Sequence, residues 1–341
     1  MNFRSFAPVA LALTLVWAGC GNDGRDIDID TDGDDDDTSE QTGPIPTDCS
    51  GCVSTGASLE NMLCAFDICT PETIVDQGYS SPTGATTAGT SAAVNHFGDT
   101  ANGLAPKLND SYALVASGPA TGTEHSEAMG GGSAPDPYAN DEYATSETYD
   151  NMEWTITLTA PPEAHGFGFK YVFLSEEYDD YIGTQFNDKF YVFLEAGSTN
   201  GGTKSIINFT ACRYPDQYYD FQCGAGQTGC AEGDRYCYIA INSAFSDCCW
   251  YNGCPEGTSA QVGTKIDGTG FECAASQMED GSASGSSTGW LQTSWPILPG
   301  ETFTVTFHIH DTGDGVLDSE VILDSFQFLY DSTVPETTPV E

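Results

Sequence analysis

Two stretches of this chain set oxygen ligands at the ends of apolar strands. The first is Phe173-Leu174-Ser175-Glu176-Glu177-Tyr178, which continues through Tyr181 to Phe186-Asn187-Asp188-Lys189-Phe190. Here two aromatic strands are joined by a loop whose ends carry Glu176, Glu177, Asn187 and Asp188. The second is Asp311-Thr312-Gly313-Asp314-Gly315-Val316-Leu317-Asp318-Ser319, where Asp311, Asp314 and Asp318 are spaced along a glycine-bearing turn. Hard carboxylate and amide oxygens at the edge of an apolar scaffold suit calcium, which takes six to eight oxygens in flexible geometry. These seven residues are the predicted ligands of one or two Ca2+ ions.

The same acids raise a glycosidase alternative, because that chemistry needs two carboxyls about 5 Å apart for retention or about 6.5–9.5 Å apart for inversion. Adjacent Glu176 and Glu177 face opposite ways on an extended chain, so a catalytic pair would have to join Glu177 with Asp188 or Asp311. Clustered acids without a basic counterpart favour a metal, and no catalytic residue is predicted. His308 and His310 occupy alternate strand positions, and His-x-His-Asp is one way to hold zinc. Thr304 and Thr306 continue the same side of the strand, so the expected environment of both histidines is solvent. No Gly-x-Ser-x-Gly elbow, P-loop or dinucleotide fingerprint occurs, which leaves serine-hydrolase and nucleotide chemistry without support.

Period-two patterns supply the elements that would position these groups. Trp154, Ile156 and Leu158 alternate with threonines; Phe167, Phe169, Tyr171 and Phe173 share a side, as do Phe190, Val192 and Leu194. Near the end Phe303, Val305, Phe307 and Ile309 alternate with polar residues, and an apolar run follows from Val321 to Tyr330. Helical spacing stands out only around Leu59, Met62, Leu63, Ala65 and Phe66, with Ser58 as N-cap. Residues 79–140, rich in small and turn residues, read as loops and weak strands. The predicted fold is all-β: an antiparallel, jelly-roll-like β-sandwich with one short N-terminal helix and a disulfide-rich insertion.

The motifs Ser175-Glu176-Glu177-Tyr178, Phe186-Asn187-Asp188, Asp311-Thr312-Gly313-Asp314 and Asp318-Ser319 together resemble the choice-of-anchor L domain of bacterial surface proteins. The likeness runs from about Leu59 to Tyr330. It implies attachment to the cell envelope and supplies no defined biochemical activity. The segment from Cys212 to Cys273 departs from that pattern and reads as an inserted, disulfide-stapled loop region. Its Tyr214, Tyr218, Tyr219, Trp250 and Tyr251 are a candidate patch for a surface glycan or protein ligand.

Composition narrows the partners. With 51 Asp and Glu against 9 Lys and Arg, the formal charge of −42 repels phosphate backbones and attracts divalent cations, so nucleic acid is excluded as a partner. Arg4, an apolar run from Phe6 to Ala18 and small residues before Cys20 read as an export signal too short to span a bilayer. Val16-Trp17-Ala18-Gly19-Cys20 resembles a lipobox, in which the cysteine would carry lipid and tie the protein to the outer membrane or cell surface. Trp17 departs from the usual aliphatic residue, and an ordinary cleaved signal is the alternative.

Of thirteen cysteines, setting Cys20 aside leaves twelve, an even number suited to an oxidising compartment. They fall into Cys49, Cys52, Cys64 and Cys69, and Cys212, Cys223, Cys230, Cys237, Cys248, Cys249, Cys254 and Cys273, with pairing expected inside each group. A zinc reading of Cys49-x-x-Cys52 competes. Residues 21–47, dominated by aspartate, are expected to be a solvated tether, residues 48–332 the sandwich domain with its insertion at about 212–273, and residues 333–341 a polar tail. The combined expectation is an exported, lipid-anchored surface protein used in adhesion; a purely structural envelope component is the third reading.

Overall fold

The computed structural model describes residues 41–98, 104–120, 129–136, 147–177, 186–211, 221–223, 235–240, 266, 268–271 and 285–340. Its strands are β1 (Ile74–Ser80), β2 (Ser91–Val94), β3 (Tyr112–Ala116), β4 (Ala134–Pro135), β5 (Glu147–Thr159), β6 (Gly166–Ser175), β7 (Lys189–Glu195) and β8 (Ser205–Ile206). These are followed by β9 (Phe209–Ala211), β10 (Phe221–Cys223), β11 (Arg235–Ala240), β12 (Ser286–Ser287), β13 (Leu291–Pro296), β14 (Thr302–Thr312), β15 (Ser319–Leu329) and β16 (Glu336–Pro339). They form two antiparallel sheets. The nine-stranded sheet runs β1-β5-β14-β7-β11-β10, with β4, β8 and β9 on its flanks; the seven-stranded sheet runs β16-β13-β6-β15-β3-β2, with β12 beside β6. The protein is an all-β sandwich.

The alternating aromatics meet between the sheets. Trp154, Ile156 and Leu158 of β5, Phe190, Val192 and Leu194 of β7, and Phe303 to Ile309 of β14 face Phe167 to Phe173 of β6 and Val321 and Leu323 of β15. Beyond Leu323 the parity inverts. A bulge between Asp324 and Gln327 places one extra residue on β15, with Ser325 at φ 58, so that Phe326 and Phe328 also turn inward. A second bulge gives β5 an extra residue opposite His310 of β14, with Asp150 at φ 45.

The single α-helix among the described residues, α1 (Leu59–Ala65), starts as its sequence predicts. The Ser58 hydroxyl accepts from the Asn61 amide at 3.1 Å, and the Asn61 side chain accepts from Ser58 N. It ends in a Schellman arrangement, with Asp67 N donating to Cys64 O and Ile68 N to Leu63 O. Asp67, not glycine, takes the left-handed position at φ 66, and its carboxylate accepts from Ser325 N at 3.0 Å, which holds the β15 bulge. Burial raises the Asp67 carboxyl to about 8, with the neighbouring Asp324 adding to the rise.

Cys49 pairs with Cys69 and Cys52 with Cys64, inside the N-terminal group as expected and not with zinc. The closed loops span 20 and 12 residues, for which chain entropy gives about 3 kcal/mol each. Cys52→Ser with Cys64→Ser should therefore lower stability by about 3 kcal/mol in denaturant titration. A loss below about 0.5 kcal/mol would mean that α1 holds its place without the bridge. Of the later cysteines, Cys223 and Cys237 lie in the strand pair β10–β11; Cys212, Cys230, Cys248, Cys249, Cys254 and Cys273 lie outside the described residues, as do Cys20 and the patch of Tyr214, Tyr218, Tyr219, Trp250 and Tyr251.

Several expectations change. Part of the 212–273 segment is integral to the sandwich: β11 pairs with β7, and Ile239 sits in the central core. The tail of residues 333–341 supplies β16, an edge strand paired with β13. The tether's last residues join the fold, because Ile45 N donates to Phe328 O at 2.8 Å and Tyr330 N to Gly43 O at 2.9 Å. His308 and His310 are not solvated but 2% and 0% exposed, packed on the outer side of the nine-stranded sheet against Tyr191, with Asp136 3.9 Å from His310. No described helix is long and apolar enough to cross a membrane.

Candidate metal centre

Four strand ends meet at one end of the sandwich. β6 stops at Ser175, which is paired with Ser319 at the start of β15; β7 starts at Lys189, which is paired with His310 near the end of β14. The turn 313–318 then crosses from one sheet to the other. Sequence motifs more than a hundred residues apart are thereby laid side by side, since antiparallel pairing puts the end of one strand against the start of its neighbour.

Asp188 stitches the two sheets together. Its Oδ1 accepts from Thr312 N at 3.0 Å and its Oδ2 from the Ser319 hydroxyl at 2.7 Å. Ser319 N in turn donates to the Ser117 hydroxyl at 2.9 Å, and Ser117 N to Ser319 O at 3.0 Å, which brings the residues after β3 into the same corner. Gly118 lies so close to Asp318 that an added Cβ would stand 1.9 Å from its carboxylate oxygen, so that only glycine fits beside Asp318.

The acids crowd each other out of water. Glu177 is 2% exposed, Asp311 and Asp318 are 1%, and Asp188 and Glu320 are 0%. Burial pushes the Asp188 carboxyl up to about 7 despite its hydrogen bonds, and Asp314 raises it further. Glu177 is driven well above the ordinary range by burial and then by Asp188 and Asp314. Asp311 is raised by burial, Asp188 and Asp318, and Glu320 by burial and Asp318. Among the described residues, the groups that most strongly shift these four acids are other acids, hydroxyls and backbone amides, none of them cationic. Both oxygens of Asp311, both of Glu320 and Oε2 of Glu177 have no hydrogen-bond partner. The Ser117 hydroxyl, which favours ionised Asp311, is directed instead at Ser319 O, 3.3 Å away.

Of the predicted ligands, Glu177, Asn187, Asp188, Asp311 and Asp318 are buried at this corner, while Asp314 sits at its half-exposed rim. Glu176 is also half-exposed; its backbone N–H donates to Asp318 O at 3.4 Å. Glu320, near the start of β15, is a buried acid outside the predicted ligand set. The signal was present: a lone acid opens a run of Val, Ile and Leu in a strand buried on both sides. Such a group needs a partner that the apolar run cannot provide.

Buried carboxylate oxygens without donors match the oxygen chemistry of calcium. Among the described residues, no three His, Cys, Asp or Glu side chains are gathered in a metal-holding arrangement as they stand. His308 and His310 do not offer the zinc alternative a clear set, because His308 Nε2 lies 2.9 Å from His310 Nδ1 and His308 Nδ1 lies 3.0 Å from Glu153 Oε1, so these nitrogens bond to protein. Comparison with protein-family models, curated proteins and solved structures finds no match for this chain.

Proposed function

We propose that this chain is an exported, lipid-anchored cell-surface protein of the choice-of-anchor L type, whose sandwich is locked by calcium and serves adhesion or matrix contact. The observation that carries the calcium part is the set of partnerless buried oxygens on Asp311 and Glu177 beside Asp188, with those of Glu320 beside Asp318. A divalent cation held by these acids would offset their mutual repulsion. The ion would act as a rivet, since Asp188 and Asp311 belong to the nine-stranded sheet's end of the corner while Glu177 and Asp318 flank strands of the seven-stranded sheet.

Catalysis by these acids is disfavoured by access. Glu177 and Asp188, a pair that a glycosidase could use, are both buried, which favours a metal-holding role over hydrolysis. Radioactive calcium in equilibrium dialysis against the folded exported domain tests the centre directly. Retention of one or two ions per chain, lost in Asp311→Asn, is the expected result; no retention at millimolar calcium refutes it.

The anchor rests on the lipobox-like Val16 to Cys20 and the even cysteine count that remains. Cys20→Ala should move the protein from the membrane fraction to the soluble exported fraction. Unchanged sedimentation of the variant with membranes would overturn the lipid at Cys20.

A further inference from the structure

A separate pocket opens on the outer side of the nine-stranded sheet, on the opposite side of β7 and β14 from the central core. It measures about 270 Å³ and is bounded by Glu153, Lys204 and His308 together with Pro82, Pro135 and Phe193, among others. Below it lies an unusually polar foundation for a sheet surface. His308 stands directly opposite Glu153 in the β5–β14 register and binds its carboxylate; His310 lies behind His308, and Lys189 forms a fully buried 2.8 Å ion pair with Asp136 behind that. Tyr191 stacks on His308 at 5.9 Å between ring centres and contacts Asp136 through its hydroxyl.

The effect of this foundation is to fix one carboxylate at the pocket wall. Burial alone would raise Glu153, but the His308 hydrogen bond and charge and the nearby Lys204 outweigh it and lower the group to about 2. Its oxygens accept from Ser80 at 2.9 Å and meet His308 at 3.0 Å, and a carboxylate offers about four acceptor sites, so capacity remains for a ligand hydroxyl. Lys204, with a side chain 38% exposed, lies 4.3 Å over the Phe193 ring and 3.7 Å from Glu153. Among the described residues the rim therefore carries a carboxylate acceptor and an ammonium donor side by side.

We infer that this pocket binds a single neutral sugar ring, with Glu153 accepting from ring hydroxyls, Lys204 donating to them, and Pro82 and Pro135 meeting the C–H face. An acceptor and a donor fixed a few ångströms apart match vicinal hydroxyls, and a charged ligand would have to break the Glu153–Lys204 pair to gain its own. The volume falls just below the roughly 300–1,000 Å³ of drug-sized sites, which suits one ring and not an extended chain. Among the described residues one carboxylate, Glu153, lines it, whereas glycoside hydrolysis uses two, which favours binding over cleavage. This inference rests on the adhesion reading for its setting and not on the calcium centre.

The test is calorimetric titration of the exported domain with glucose, galactose, mannose and N-acetylglucosamine and with their methyl glycosides, in calcium and again in chelator. At least one sugar should bind in both conditions, and Glu153→Gln and Lys204→Met should each weaken it by roughly tenfold to a hundredfold, as expected for a hydrogen bond to a charged group. Lys204→Met keeps the side-chain stem over Phe193 and guards against a folding defect in the other variant. Equal binding of the methyl glycoside identifies a glycan chain end as the natural source, whereas binding of the free sugar alone identifies a soluble monosaccharide. No heat with any sugar at tens of millimolar, binding indifferent to both variants, or a response to glycine or acetate alone overturns the inference. Sugar binding lost only in chelator assigns recognition to the calcium corner and likewise overturns it.

Discussion

Calcium at a hundredfold excess over its dissociation constant is expected to add about 2.7 kcal/mol of stability, which raises the melting temperature of a domain this size by roughly 5–10 °C. The variants divide by mechanism. Asp311→Asn replaces a buried acid whose oxygens have no hydrogen-bond partner, so in chelator it should be neutral or stabilising, while in calcium it should lose most of the gain. Glu320→Gln should behave in the same way. Asp188→Ala also strips acceptors from Thr312 N and Ser319 Oγ and should weaken the fold in both conditions. Asp35→Ala, outside the site, should change neither. A melting curve indifferent to calcium and chelator would leave these acids as structural groups only.

The same centre predicts an unusual pH dependence. The folded Asp188 carboxyl titrates at about 7, above its ordinary value near 3.8, and Glu177, Asp311 and Glu320 shift the same way. Between those values the folded chain keeps protons that the unfolded chain has released, so stability in chelator should fall by a few kcal/mol as pH rises from about 4 to about 7. Asp67, at about 8, contributes a loss of the same sign that calcium at the corner does not relieve, so the comparison is best made in an Asp67→Asn background. Calcium should remove the fall in that background. A fall of equal size with and without calcium would separate the buried acids from metal binding.

Phe66→Ala is expected to cost about 3–5 kcal/mol, as large-to-small changes of buried aromatics do, and to lower the melting temperature by about 10 °C. Phe66 follows α1 and inserts between the sheets, with its ring centre 5.8 Å from Trp154, 6.0 Å from Phe169, 5.2 Å from Phe307 and 5.6 Å from Phe326. Its backbone carbonyl also accepts from Phe326 N at 3.2 Å, so the helix end, the β15 bulge and the core are joined at one residue. Phe66→Leu keeps most of the apolar volume and should cost distinctly less. A Phe66→Ala loss under about 1 kcal/mol would show that the sandwich closes over the gap and that α1 is only an appendage.

Much of this architecture was written locally. The alternation of Trp154, Ile156 and Leu158, the aromatics of β6 and the Phe303–Ile309 series specify strands with one inward side, and Ser58 with Asn61 specifies where α1 begins. The two acidic motifs were legible because aspartates and glutamates stood where strands end. What lay beyond the sequence was decided by contacts between distant residues. Alternation tells which side of a strand a residue takes but not what lies against that side, so His308 and His310, read as solvated, are buried against Tyr191 and Asp136. Alternation also assumes an unbroken register, and the extra residue at Ser325 turns Phe326 inward where strict period two would turn it out. Glu320 was hidden for the same kind of reason: its strand is apolar on both sides, and only the fold shows it buried completely with Asp318 as a charged neighbour.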